Sequence, residues 1–168
     1  RLWRPSKRFR KYIADDTTPA FAIDGLAAFG LNSAHGWTIK GGRIRSRHVA
    51  EMEAFFAEQP PETFRVLTLH HHLLHLDALG DHDVSRNARA ALDAAQRANV
   101  DLVLCGHLHR SHVQLVELPV EAGGRTGLVI ASAGTATSSR GRGSNKGINF
   151  YNHVEIEGAA FTVLEKMP

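Results

Sequence analysis

Along this chain the spacing of apolar residues switches between two periods, and each switch marks an element. "FAIDG" (21–25) and "AAFGLNS" (27–33) are short apolar runs split at Gly25, which predicts two paired strands. "HGWTIKGGRI" (35–44) breaks the pattern and reads as a loop with a turn at Gly41-Gly42. From Ser46 to Gln59, Val49, Met52, Phe55 and Phe56 recur at helical spacing, and Pro60-Pro61 ends the helix.

"FRVLTLH" (64–70) returns to a compact strand-forming run. "SRNARAALDAAQRAN" (85–99) is again helical, with Ser85 placed as N-cap and Ala88, Ala91, Leu92, Ala95 and Ala98 as its apolar stripe. Asn99 suits a C-terminal cap. "VDLVLC" (100–105) is almost continuously apolar, as in a strand buried on both faces. Strand, helix and strand make a βαβ unit with parallel strands. Beyond it, 113–118, 126–132, 148–156 and 160–165 read as strands joined by Gly-rich turns, an antiparallel stretch. The class is α/β with a mixed sheet.

Composition narrows the picture. A length of 168 residues, 43% of them hydrophobic, fits one domain with a real core. No apolar run approaches the roughly 20 residues of a membrane helix, and Arg1 opens no secretory layout. Cys105 is the single cysteine and has no internal partner, so the expected compartment is reducing, the cytoplasm. The pI of about 9.4 suggests nucleic acid until the charge is mapped. "RLWRPSKRFRK" (1–11) holds six of the 20 Lys and Arg residues, leaving 14 bases against 17 acids elsewhere. The basic arm reads best as a solvated surface helix, and nucleic acid is not the expected partner.

The chemistry-bearing residues lie at strand ends. One strand of the βαβ unit runs into His70, His71 and His72; the other runs into "GHLH" (106–109). Open α/β sheets bind ligands beyond the carboxyl ends of their strands, and parallel neighbours bring those ends together. Gly106 is expected to let the backbone turn sharply. On a short extended turn His107 and His109 would then point the same way. Neutral imidazole is a common ligand for divalent transition ions. His35, His48, His75, His82, His112 and His153 lack a partner pattern and read as surface or loop residues, and Cys105 as a small buried residue. In "SSRGRGSNKG" (138–147), Arg140, Arg142 and Lys146 are candidates to contact a substrate phosphate, beside a reading as a solvated hairpin loop.

"RVLTLHHHLL" (65–74) followed by "DLVLCGHLHRSH" (101–112) resembles the last two motifs of the calcineurin-like metallophosphoesterases. "RLWRPSKRFRKYI" (1–13), "LNSAHGWTIKGGRI" (31–44) and "SAGTATSSRGRG" (132–143) resemble that family's bacterial cyclic-nucleotide phosphodiesterase-like branch. The resemblance implies a four-layer αββα sandwich with a mixed β-sheet and a binuclear metal site. It implies hydrolysis of a phosphodiester or phosphomonoester by a metal-activated hydroxide, with two divalent ions (Mn, Fe or Zn) in the full-length protein. By position, His107 and His109 are ligands to different ions. The family's earlier ligand stands two residues before a proline; Leu73 fills that slot here, which selects His71, with His70 the alternative one residue away.

The family's Asp-x-His, Gly-Asp and Gly-Asn-His-Asp motifs do not occur in the sequence, and the catalytic histidine is expected upstream of Arg1. "GDHD" (80–83) follows the first histidine cluster and reads as a polar helix entry. Residues 1–168 are therefore expected to be one domain, the C-terminal portion of such a phosphoesterase, inactive alone. The expected partner is a phosphate-ester small molecule such as a nucleotide. The alternative is a non-catalytic metal-binding or scaffold module that keeps part of the site.

Overall fold

A computed structural model of the chain describes residues 6–34, 41–118, 127–137 and 146–167. Its centre is a six-stranded sheet. β1 (Ala20–Ile23) and β2 (Leu26–Gly30) form the expected pair, which is antiparallel and turns at Gly25 with φ +75°. β2 then runs parallel to β3 (Phe64–Thr68), and β3 parallel to β4 (Leu102–Cys105). β6 (Gly127–Ser132) is parallel to β4, and β5 (His112–Glu117) closes the far edge antiparallel to β6. The order is β1-β2-β3-β4-β6-β5. The strands after β4 are thus no purely antiparallel stretch, because β6 extends the parallel core.

Two crossovers in succession build that core. α2 (Ser46–Ala57) links β2 to β3, and α3 (Ala88–Arg97) links β3 to β4. Both helices pack on one face of the sheet. Met52, Phe56, Ala91, Leu92 and Ala95 meet Phe29, Leu67, Val103 and Ile130 in a single buried cluster. The helical spacing in the sequence placed those residues inward, as the amphipathic pattern requires.

The other face receives a two-stranded antiparallel sheet, β7 (Tyr151–Glu157) with β8 (Ala160–Lys166). Its Val154, Ile156, Phe161 and Val163 pack against Phe64, Val66, Leu102 and Ala131. Phe64 and Phe161 meet edge to face with centroids 5.1 Å apart. Among the described residues the result is a mixed α/β sandwich of helices, large sheet and small sheet. α1 (Lys7–Tyr12), in the basic arm, has no buried residue.

Three local expectations are corrected. Ser85 does not cap α3: the helix starts at Ala88 after Asn87 in the left-handed region (φ 64°). The Asn87 side chain donates to the Ile44 carbonyl instead, while the Ser85 hydroxyl is buried without a hydrogen-bond partner. A bridge from Arg43 to Arg86 fixes the chain's entry into the helix, so the cap gives way to a long-range contact. His48 and His82 are not surface residues; they are 5% and 8% exposed. His48 lies on the inward side of α2, and burial lowers its pKa. At the other end of α3, Asn99 has φ 53°, the left-handed geometry a C-terminal cap needs.

Candidate metal centre

β2, β3 and β4 are parallel neighbours, so their carboxyl ends form one rim. Ser33 follows β2, His70 and His71 follow β3, and His107 follows β4. His70, His71 and His107 each offer a ring nitrogen, and these three atoms lie within 4.8 Å of one another. The ring centroids are 4.7 Å apart for His70 and His71, 4.9 Å for His70 and His107, and 4.5 Å for His71 and His107. His107 Nδ1 and His70 Nε2 are 3.0 Å apart.

The turn that carries His107 is not built as its sequence suggests. Gly106 is not in the left-handed region, and a Cβ there would meet nothing within 4 Å. The left-handed residues are the histidines themselves, His107 at φ 73° and His109 at φ 57°. Non-glycine residues are uncommon in that region, and such strain gathers at functional sites. The turn is not extended, therefore, and alternation does not aim the two rings. His109 lies outside the three-nitrogen group, though its charge still acts on His70. Arg110 holds the end of the turn by donating to the carbonyls of Leu79 (2.8 Å) and Ala78 (3.2 Å).

His71 is the most constrained of the three. It is 9% exposed, its backbone N–H donates to Ser33 Oγ (3.2 Å), and its Nδ1 lies 2.9 Å from the same oxygen. On another side it packs against Gly42, where a Cβ would come within 2.5 Å of Nδ1. Gly42 is left-handed (φ 57°), as the expected Gly-Gly turn requires.

Burial and mutual repulsion disfavour the charged forms of His70 and His71. Burial first, then the charges of His70 and His107, push His71 down to about 4. Burial lowers His70 as well, followed by His107 and His109. An uncharged imidazole has the lone pair that ligation uses. Three imidazoles within 4.8 Å of one another are a donor set that suits a divalent transition ion. No Asp or Glu among the described residues joins the group.

A second histidine layer lies behind the first. His72 is 1% exposed, and its two ring nitrogens have no hydrogen-bond partner. Burial, then His82, pushes it down to about 4. Its ring meets His82 at 4.9 Å, and His82 meets His75 at 5.0 Å. His82 is anchored through Nδ1, 2.7 Å from the Gly80 carbonyl. "GDHD" is thus partly interior: its histidine is buried and its two aspartates are exposed.

Arg140 and Arg142 fall outside the described residues; Lys146 is exposed on a turn. Cys105 is buried and its thiol is pushed up to about 12, which removes it as a nucleophile at neutral pH. A cavity of about 570 Å³ lies at the opposite end of the sheet, between the C-terminal ends of α2 and α3, lined in part by Glu53, Arg65 and Arg97. It contains none of the histidines. Sequence reasoning missed Ser33, Gly42 as a contact of His71, and the inner pair His72 and His82. Reading β2 as the next parallel strand would have placed Ser33 on the rim.

No family model matches the sequence, and no curated protein matches it. Among solved structures the chain is similar to a candidate 5'-nucleotidase of Staphylococcus aureus, determined in complex with alpha-ketoglutarate. The identity is 13% and the TM-score 0.46, over 92% of this chain and 29% of that one. The chain therefore spans under a third of that protein's length. No described helix is long and apolar enough to cross a membrane.

Proposed function

We propose that residues 1–168 are the C-terminal portion of a metal-dependent phosphoesterase domain of the calcineurin-like type, acting in the cytoplasm on a small phosphate ester such as a nucleotide. The observation that carries this reading is the convergence of His70, His71 and His107 at the ends of adjacent parallel strands. Parallel strand ends are where α/β proteins hold ligands, and neutral imidazoles are donors to divalent ions.

In this reading His71 and His107 are ligands from two strands, His109 serves a neighbouring ion, and His70 completes or substitutes for His71. Two divalent ions (Mn, Fe or Zn) would supply Lewis acidity toward the phosphoryl oxygens and acidify the attacking water. The chain's own contribution is to hold the imidazoles uncharged and preset. Burial of His71 does the first for that ring, and the left-handed turn after β4 does the second. Arg140, Arg142 and Lys146 are proposed to meet the phosphate charge.

The group's lack of a carboxylate among the described residues favours a second reading, a metal-binding module without catalysis. Binuclear sites use carboxylates to bridge their ions and balance charge. A chromogenic phosphodiester assay with metal analysis separates the two. The 168-residue chain should bind a transition ion and turn over negligibly. The complete protein with added Mn should turn over, and His107→Ala should abolish that activity. Metal binding without turnover in the complete protein would establish the module instead.

A further inference from the structure

We infer that Ser33 is the positioning residue of this centre: its hydroxyl oxygen accepts a hydrogen bond from His71 Nδ1–H, so that His71 ligates through Nε2. The inference rests on the metal reading above and adds the atom-level arrangement that makes His71 a ligand.

Imidazole presents either nitrogen as the donor atom, and the hydrogen bond made by the other nitrogen decides which. Metal-bound histidines nearly always give that second N–H to an oxygen acceptor. Ser33 supplies such an oxygen. Its Oγ accepts the His71 backbone N–H at 3.2 Å and lies 2.9 Å from Nδ1. A hydroxyl has two acceptor lone pairs, so it can accept both hydrogen bonds at once.

The oxygen is itself fixed in place. Ser33 is 2% exposed, its carbonyl accepts from the Arg43 N–H (2.8 Å), and pairing continues past β2 through the Leu31 N–H to Thr68 (2.8 Å). Gly42 closes the remaining side. A Cβ there would reach 2.5 Å from His71 Nδ1 and 2.7 Å from the Ser33 carbonyl, so the ring has no room to retreat from the hydroxyl. Without the hydroxyl, a protonated Nδ1 would lose the acceptor that faces it at 2.9 Å. The ring would then move its proton to Nε2, where the ion must sit.

The test is histidine-selective ¹⁵N NMR on the metal-free chain, followed by Co titration of the wild type, Ser33→Ala and Ser33→Thr. The wild type should show His71 protonated at Nδ1 and bare at Nε2. Ser33→Ala should lose that preference and bind Co about 10- to 100-fold more weakly, with an unchanged far-UV spectrum. Ser33→Thr, which keeps the hydroxyl, should recover most of the affinity. A wild-type His71 protonated at Nε2 would mean that the hydroxyl donates rather than accepts, which overturns the proposal even if Ser33→Ala does not fold. Unchanged Co affinity in a folded Ser33→Ala would overturn it as well. Failure of the wild type to bind Co overturns the metal reading beneath it, a result distinct from both.

Discussion

The two faces of the large sheet are finished to different degrees. On the helix face α2 and α3 seal a core that extends from Ala27 through Leu67 and Val103 to Ile130, each 3% exposed or less. On the hairpin face, among the described residues, the buried part of the cluster is Phe64, Val66, Leu102 and Ala131. The strand registers extend that second face outward. Phe21 and Ile23 of β1 pair with Ala28 and Leu26, and Val113 and Leu115 of β5 pair with Ala131 and Val129. These four side chains are 53, 57, 46 and 62% exposed. β7 and β8 therefore roof the middle of the face and leave apolar flanks on both sides. The helix face is built by crossovers between consecutive strands, whereas the hairpin face needs elements from elsewhere. A sheet face left apolar at both edges is what part of a larger sandwich would present, and that underlies the proposal that these residues belong to one.

The comparison breaks if the faces are equally stabilising. Leu67→Ala on the helix face should cost about 4 kcal/mol in urea unfolding, as a fully buried leucine does. Ile156→Ala on the partly buried hairpin should cost about 1 kcal/mol. Similar losses would mean that the hairpin face is as well packed as the other.

The histidine rim belongs to the finished half, and its burial has a pH signature. His71 and His72 refuse protons in the folded state until about pH 4, while unfolded imidazoles accept them near 6.5. Between those values the unfolded chain binds more protons. Stability of the metal-free protein should then be full above about 6.5 and fall as pH drops toward 4, by on the order of 3 kcal/mol at most for each of the two histidines. Denaturant curves at several pH values check this, and a flat profile would mean that the rim is wetter than described.

An ion that binds only the folded rim should stabilise by about 2.7 kcal/mol at 100 times its Kd, reversed by chelator. Thermal melts with and without Zn read this directly, and His107→Ala should remove the shift. The smallest effect belongs to the flanks. Leu115→Lys should change stability by less than about 0.5 kcal/mol while lowering binding of a hydrophobic dye. A large destabilisation would show that Leu115 is already covered.

Legibility in the sequence follows the same division. β3, α3 and β4 could be read because each element announces itself locally and the connection forces parallel pairing. The three histidines at the strand ends followed from that unit alone. The pairing of β2 with β3 and of β6 with β4 left no mark, since register between distant strands has no local period. Ser33 stayed hidden for that reason: its role exists only once β2 lies beside β3. Ser85 was misread as the cap because a long-range bridge overrode the local capping preference. Imidazole clusters also defeat hydropathy. His72 and His82 look polar in sequence but are interior because each packs against another histidine ring.

The left-handed turn after β4 has a consequence for the history of the sequence. Glycine is at ease at φ 73° and 57°, and histidine is not. At His107 and His109 the residue best for the backbone is therefore the one that cannot hold an ion. Selection for folding alone would push both positions toward glycine; under the proposed metal reading, ligand binding is the counter-pressure that keeps imidazoles there. In a lineage released from that pressure, these would be among the first residues of the rim to drift.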